Sequence, residues 1–301
     1  MLAVFDNGKD SSKYKIGNER YIVPSKIEEG IATFSDETIV YNNKSYIVGE
    51  EAGDYDYSFT KNNEHHKIML YYCLAKHVED LQFFDLIIGC PLSTYLNKKE
   101  QEKYIKSIQN NGEPINIIYN NEEKTIIITS ITMVPESIGG YLNDYSISKN
   151  EIRGVVDIGG LNLNAAIYNM GKPIREKMIT LNLGIHVLLK NIQQAVLRER
   201  EQMINLYMCK HLLMTSSFNG DFELEDIFNK ECEKFVINIK NTLIKNDWEI
   251  NQLTMRFIGG GSIALSKYIK KEFANSQIEE DVFANCEAFE KFGVSKINAK
   301  K

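Results

Sequence analysis

The 301-residue chain has five cysteines and five histidines, and neither set forms a metal-binding pattern. Cys73, Cys90, Cys209, Cys232 and Cys286 are scattered, odd in number and contain no C-x-x-C pair. That usage fits reduced thiols in a cytoplasmic protein rather than a disulfide framework or a zinc site. His65 and His66 are the only close histidines, and adjacent side chains diverge on any regular element, so both are expected at the surface. A basic excess is also missing: 35 lysines and arginines face 41 acids, a net charge of -6. This argues against direct binding of nucleic acid by phosphate neutralisation; if DNA is involved, an adaptor must hold it. No apolar run is long enough to cross a membrane, and "MLAVFDNGKD" lacks the basic start and long apolar segment of a secretory signal. Neither terminus forms an amphipathic membrane-binding helix. No low-complexity linker divides the chain, whose 43% hydrophobic content suffices for one large domain or two modest ones.

What is present is an α/β pattern started twice. "LAVFD" reads as a strand, "SKYKIG" and "ERYIVPSKI" as a hairpin turning at Gly17-Asn18, and "SYIVGEEA" as a further strand. Glu64 to Asp80 carries apolar residues at helical spacing and leads into the buried-strand run "FFDLIIGCP". A helix in "LNKKEQEKYIKSIQNN" precedes the β-branched strand "KTIIITSITMVPE". After Gly154 come a strand, a glycine turn, the strand "NLNAAIY", another strand near "IREKMITLNLG", and a long helical region from Ile185 to Met214. "DFELEDIFNKECEKFVINIKNTLIKN" reads as a helix with an acidic first turn, and "QLTMRFIGGGS" as a strand entering three glycines. The last thirty residues read as helices with a mobile basic end. "LAVFDNGKDSSKYKI" and "GVVDIGGLNLNAAIY" share an apolar strand, D-x-G and a second strand, with Lys13 and Asn164 each seven positions after the aspartate. The repeat predicts two similar α/β halves packed around a cleft.

Four stretches can carry chemistry. Gly8, after Asp6, lets a hairpin aim backbone N–H groups at an anion, with Lys13 as a point charge; D-x-G alone serves a plain turn equally. Asp157, Gly159 and Gly160 repeat the device, and an aspartate at each strand end, Asp6 and Asp157, suits Mg²⁺ held through water. Gly259-Gly260-Gly261-Ser262 opens a helical stretch and either admits a nucleoside against bare backbone or simply turns the chain. In "MVPESIGGY" Glu136 follows a strand and a proline, where it either orients a water against a γ-phosphate or favours a helix start.

In this order and spacing the pieces resemble the actin-like ATPase superfamily, and within it the plasmid-segregation actins of the ParM type. "VFDNGKDSSKYKI" and "VVDIGGLNLNAAIY" look like its two phosphate hairpins, "LIIGCPLSTY" like its strand ending in G-x-P, "MVPESIGGY" like the ParM-type connecting segment, and "FIGGGS" like the adenosine-side turn. "DVFANCEAFEKFG" resembles the segment that returns to the first domain. The resemblance implies an actin-like, duplicated ribonuclease H-like fold with a central nucleotide cleft. Its domain I would span 1–150 with a short inserted subdomain near 28–63, domain II 151–275, and 276–301 would return to domain I. It also implies ATP, or GTP, with Mg²⁺, hydrolysis coupled to filament assembly, and plasmid movement through a DNA-binding adaptor. Asp6, Gly8 and Lys13 would then serve the first phosphate loop, and Asp157, Gly159 and Gly160 the second. Glu136 would position the water, Gly260, Gly261 and Ser262 would border the nucleoside, and Gly184 would approach the nucleotide. Asn164 stands where ParM-type proteins carry an acid. A sugar-type kinase of the superfamily or a cell-shape actin are the alternative readings. The kinase would need an acidic base for a substrate hydroxyl, and the sequence offers no clear candidate.

Overall fold

The computed structural model describes residues 1–31, 37–53, 61–142, 151–170 and 172–298. The chain forms two compact units, Met1–Leu142 with Asn285–Lys301, and Asn143–Ala284. The domain edge expected at 150, parts of the expected insert (32–36 and 54–60) and the last three residues of the expected mobile end lie outside the described residues.

The first unit opens with β1 (Leu2–Asn7), β2 (Ser11–Ile16), β3 (Glu19–Pro24), β4 (Ile27–Glu29), β5 (Thr38–Tyr41) and β6 (Lys44–Val48). It continues with α1 (Glu64–Ala75), β7 (Leu81–Cys90), α2 (Leu92–Tyr95), α3 (Lys98–Ile108), β8 (Ile115–Tyr119), β9 (Glu122–Pro135) and α4 (Gly139–Leu142). Among the described residues its strands form one nine-stranded sheet in the order β3-β2-β1-β7-β9-β8-β5-β6-β4. The insert strands β4, β5 and β6 extend this sheet through the β5–β8 pairing. β1, β7 and β9 run parallel at its centre, where apolar cores lie on both faces. β1 at Ala3–Phe5 and β7 at Leu86–Ile88 carry the continuous buried apolar runs that a strand covered on both sides requires, whereas β9 alternates buried and partly exposed residues over Lys124–Ile128.

α1 ends at Ala75, five residues before the expected Asp80, and is buried around most of its circumference, not along one stripe. His66 lies on that helix with 1% of its surface exposed, which corrects the surface position expected for it. Asn63 caps the helix by accepting a hydrogen bond from the His66 backbone N–H at 3.0 Å.

The second unit contains β10 (Ile152–Ile158), β11 (Leu163–Asn169), β12 (Lys172–Pro173), β13 (Ile179–Leu181), α5 (Ile185–Arg200), α6 (Leu206–Thr215) and α7 (Phe222–Lys245). β14 (Thr254–Ile258), α8 (Gly260–Ala264), α9 (Ser266–Glu272) and β15 (Ser276–Ile278) follow. The sheet order is β12-β11-β10-β14-β15, with β13 also on β11. α5 and α7 supply most of the helical side of its core, and α6 adds Cys209, Leu212 and Leu213.

The helix expected over 185–214 is two helices, because Glu201 adopts φ 55° and ends α5 without a glycine to announce the break. The strand expected near "IREKMITLNLG" is a 3₁₀ turn at Arg175–Lys177 followed by the three-residue β13. β15 pairs with β14, so the chain is still in the second sheet at Ile278. α10 (Ala284–Asn298) then carries it back onto the first unit.

Candidate functional site

Each unit places a two-stranded hairpin at the carboxyl end of its parallel strands, the edge at which open α/β sheets bind ligands. In the first unit Asp6 faces Lys13 across β1 and β2. In the second Asp157 faces Asn164 across β10 and β11. The two residues seven positions beyond the aspartates are therefore their direct cross-strand neighbours. Both aspartates are nearly buried, at 8% and 9% exposure, so each presents its carboxylate from a strand end with little water around it.

The first hairpin is locked from below. Gly8 donates its N–H to the Asp6 carbonyl at 2.8 Å, and a Cβ on Gly8 would sit 2.4 Å from the Ser11 carbonyl oxygen, so no larger residue fits the turn. Ser25 donates to the Gly8 carbonyl at 2.6 Å, Ser12 donates to Asn7 Oδ1 at 2.8 Å, and Asn7 donates to the His66 carbonyl at 3.1 Å. Asn285, just inside α10, donates to Asp6 Oδ2 at 3.4 Å. Ser12, Ser25, Asn7 and Asn285 were not singled out from sequence, and each is a polar residue made legible only by the partner it reaches.

The second hairpin rests on a helix start. Ile185 and His186 donate their backbone N–H groups to the carbonyls of Gly159 and Gly160 at 3.0 and 2.9 Å. A Cβ on Gly184 would lie 2.4 Å from Gly160 O, so Gly184 is glycine because the loop packs directly on it. Asn164 Oδ1 accepts from the Thr180 hydroxyl at 2.9 Å.

The glycine turn after β14 stands beside Asp157, since Asp157 and Ile258 are in register. Gly259 has φ +85°, and a Cβ there would be 2.5 Å from Asp157 Oδ1. Gly261 packs against Ile158. A Cβ on Gly260 meets nothing within 4 Å. Ser262 is fully buried and its hydroxyl donates to the Ile258 carbonyl at 2.5 Å, so that side chain braces the turn from inside.

Glu136 follows β9 directly, and its N–H bonds the Cys90 carbonyl at 2.9 Å. Glu136 is 6% exposed, and its carboxylate pairs with Lys61, Nζ to Oε1 2.5 Å. Burial, the largest influence on Lys61, works to strip its proton; the charges of Glu136 and Asp6 and the hydrogen bond to Glu136 outweigh it and raise its pKa above the ordinary lysine value. The next residue, Ser137, is fully buried at φ +68°, a left-handed conformation that a serine adopts only where its surroundings enforce it. Lys61 sits in "FTKNNE", a polar stretch without motif or periodicity, and no sequence signal marks it.

Among the described residues no group of three or more His, Cys, Asp or Glu is arranged to hold a metal directly. The carboxylates at the two strand ends, Asp6 and Asp157, fit a Mg²⁺ ion that keeps most of its own water, and the open backbone at Gly260 fits a planar group laid against it.

Residues 5–139 match the family described as actin-like proteins, N-terminal domain. The structure is similar to an archaeal actin homologue, Ta0583, in complex with ADP, with TM-score 0.79 and 15% identity over 98% of this chain and 99% of that one. It is also similar to the apo ParM protein of pSK41, TM-score 0.72, 18% identity, 99% and 98% covered. The subunit of the Alp12 filament gives TM-score 0.72 and 24% identity, with 98% of each chain covered. No curated protein sequence matches the chain.

Proposed function

From the premise that the chain has the actin-like fold and that its residues 5–139 match the actin-like N-terminal domain family, we propose that it is a filament-forming nucleotidase. It binds ATP, or GTP, with Mg²⁺ and couples hydrolysis to assembly that moves plasmid DNA through a DNA-binding adaptor. The observation that carries this is the pair of hairpins with matched register, Asp6 opposite Lys13 and Asp157 opposite Asn164, each braced so that its backbone cannot relax.

In this reading Asp6 and Asp157 hold Mg²⁺ through water, and the ion supplies neutralisation of phosphate charge. Gly8 and Lys13 serve the first phosphate loop, and Gly159, Gly160 and Asn164 the second. Gly184 supports the second loop, Gly260 and Gly261 border the nucleoside, and Ser262 braces them. Glu136 accepts a hydrogen bond from the attacking water. That water's oxygen joins the terminal phosphorus as the bond from phosphorus to the bridging oxygen breaks, leaving nucleoside diphosphate and inorganic phosphate, with the water's protons carried by the phosphate. Triphosphate favours assembly and its loss weakens the filament.

Sedimentation and light scattering with ATP, GTP or no nucleotide, over a range of salt and Mg²⁺, test the reading. Polymer is expected only with triphosphate, followed by phosphate release and disassembly. A chain that stays monomeric and releases no phosphate under all these conditions is not what is proposed.

A further inference from the structure

The buried ammonium of Lys61 lies beside two carboxylates of the proposed chemistry, Glu136 and Asp6, and has been given no role in it. Its side chain is 6% exposed and that of Glu136 8% exposed, and the two touch at 2.5 Å. Asp6, the aspartate of the first phosphate hairpin, lies close enough to reinforce the same positive charge. A terminal phosphate arriving beside Glu136 and Asp6 alone would meet like charge on both sides, in a site where little water is left to screen it.

An ammonium has three N–H donors on a flexible stem, and Glu136 takes the direction of one. The ion pair also fixes the Glu136 rotamer, which a carboxylate that must aim at a single water requires. We propose that Lys61 contacts the terminal phosphate of the bound nucleotide while keeping Glu136 aligned, so that the Lys61–Glu136 pair reads triphosphate against diphosphate. This rests on the function proposed above and adds to it the residue that senses the nucleotide's state. A diphosphate leaves Lys61 on Glu136 alone; a triphosphate gives it a second anionic partner, and only that state joins the water-orienting carboxylate to the reacting group.

The test uses the full chain with Lys61→Met, Lys61→Arg and the double variant Lys61→Met/Glu136→Gln. Affinities for ATP and for ADP are measured by fluorescent-nucleotide competition, with single-turnover phosphate release and thermal melting alongside. Lys61→Met is expected to bind ADP as the unmutated chain does and to lose about tenfold of its preference for ATP. Turnover is expected to fall roughly 10²-fold, the scale for removing one preorganised charge donor. Lys61→Arg should recover part of the preference. The double variant removes both buried charges, so it should recover melting temperature without recovering ATP preference, which separates sensing from a purely structural ion pair.

An unchanged ATP-to-ADP ratio in Lys61→Met, or a restored ATP preference in the double variant, overturns the assignment of Lys61. An unmutated chain that binds neither nucleotide overturns the proposed function and this inference together.

Discussion

At Gly259 the backbone has φ +85° and a Cβ would strike Asp157 Oδ1, whereas at Gly260 a Cβ would enter open space. Neighbouring glycines thus have opposite reasons for being there. Gly259→Ala is expected to lower unfolding free energy by about 1–3 kcal/mol, from left-handed strain and a displaced aspartate. Gly260→Ala, at the first position of a helix, is expected to be neutral or stabilising by up to about 1 kcal/mol while weakening nucleotide binding. Urea unfolding and nucleotide titration of both variants check this; if Gly260→Ala binds nucleotide normally, no nucleoside lies on that backbone. From sequence these residues formed one undifferentiated run, "GGGS", since spacing reveals where glycines cluster but not what each avoids. The same limit applies to Ser262, whose hydroxyl turned out to serve the Ile258 carbonyl, and to Lys61, whose partner is 75 positions away.

Among elements, the strands β7 and β9 and the two hairpins were legible because β-branched runs and glycine turns are local signals. α1 gave a weaker one: with nearly every face buried, its apolar residues stop showing a stripe, and its end at Ala75 carries no glycine or proline. α10 shows how much depends on long-range pairing. Phe289 fills the space a side chain on Gly89 would occupy, and Lys15 on β2 reaches Glu287 and Glu290 on α10 at 3.0 and 2.5 Å. Burial opposes the Lys15 charge, but hydrogen bonds to Glu290 and Glu287 and their charges outweigh it, so its pKa is raised.

A group with a raised folded pKa stabilises fully below its unfolded value, about 10.4 for lysine, and that contribution disappears as pH rises through the folded value. Lys15→Met should therefore cost about 1–3 kcal/mol near neutral pH, between surface and buried ion-pair values. The gap from the unmutated chain should narrow above pH about 10. Melting curves from pH 7 to 11 decide it, and a gap that is constant across the range would assign the loss to packing.

At the scale of the molecule, a net charge of -6 sets an expectation about partners. The chain alone should give no mobility shift of plasmid DNA even at low salt, where nonspecific binding of basic proteins is strongest. Tight binding without any second protein would remove the need for an adaptor.

The helix start beneath the second hairpin has one more consequence. The first amides of α5 are committed to the Gly159 and Gly160 carbonyls, so they are closed to a ligand. In a trans peptide the N–H points opposite to the C=O it shares a plane with. The amides of Gly160 and Leu161 therefore project away from the helix, in line with its axis of polarity. Bonds chained in this way polarise one another. The positive pole of α5 is thereby carried outward by one peptide layer, onto a loop whose shape glycine controls, and an anion there would feel the whole helix without touching its first turn.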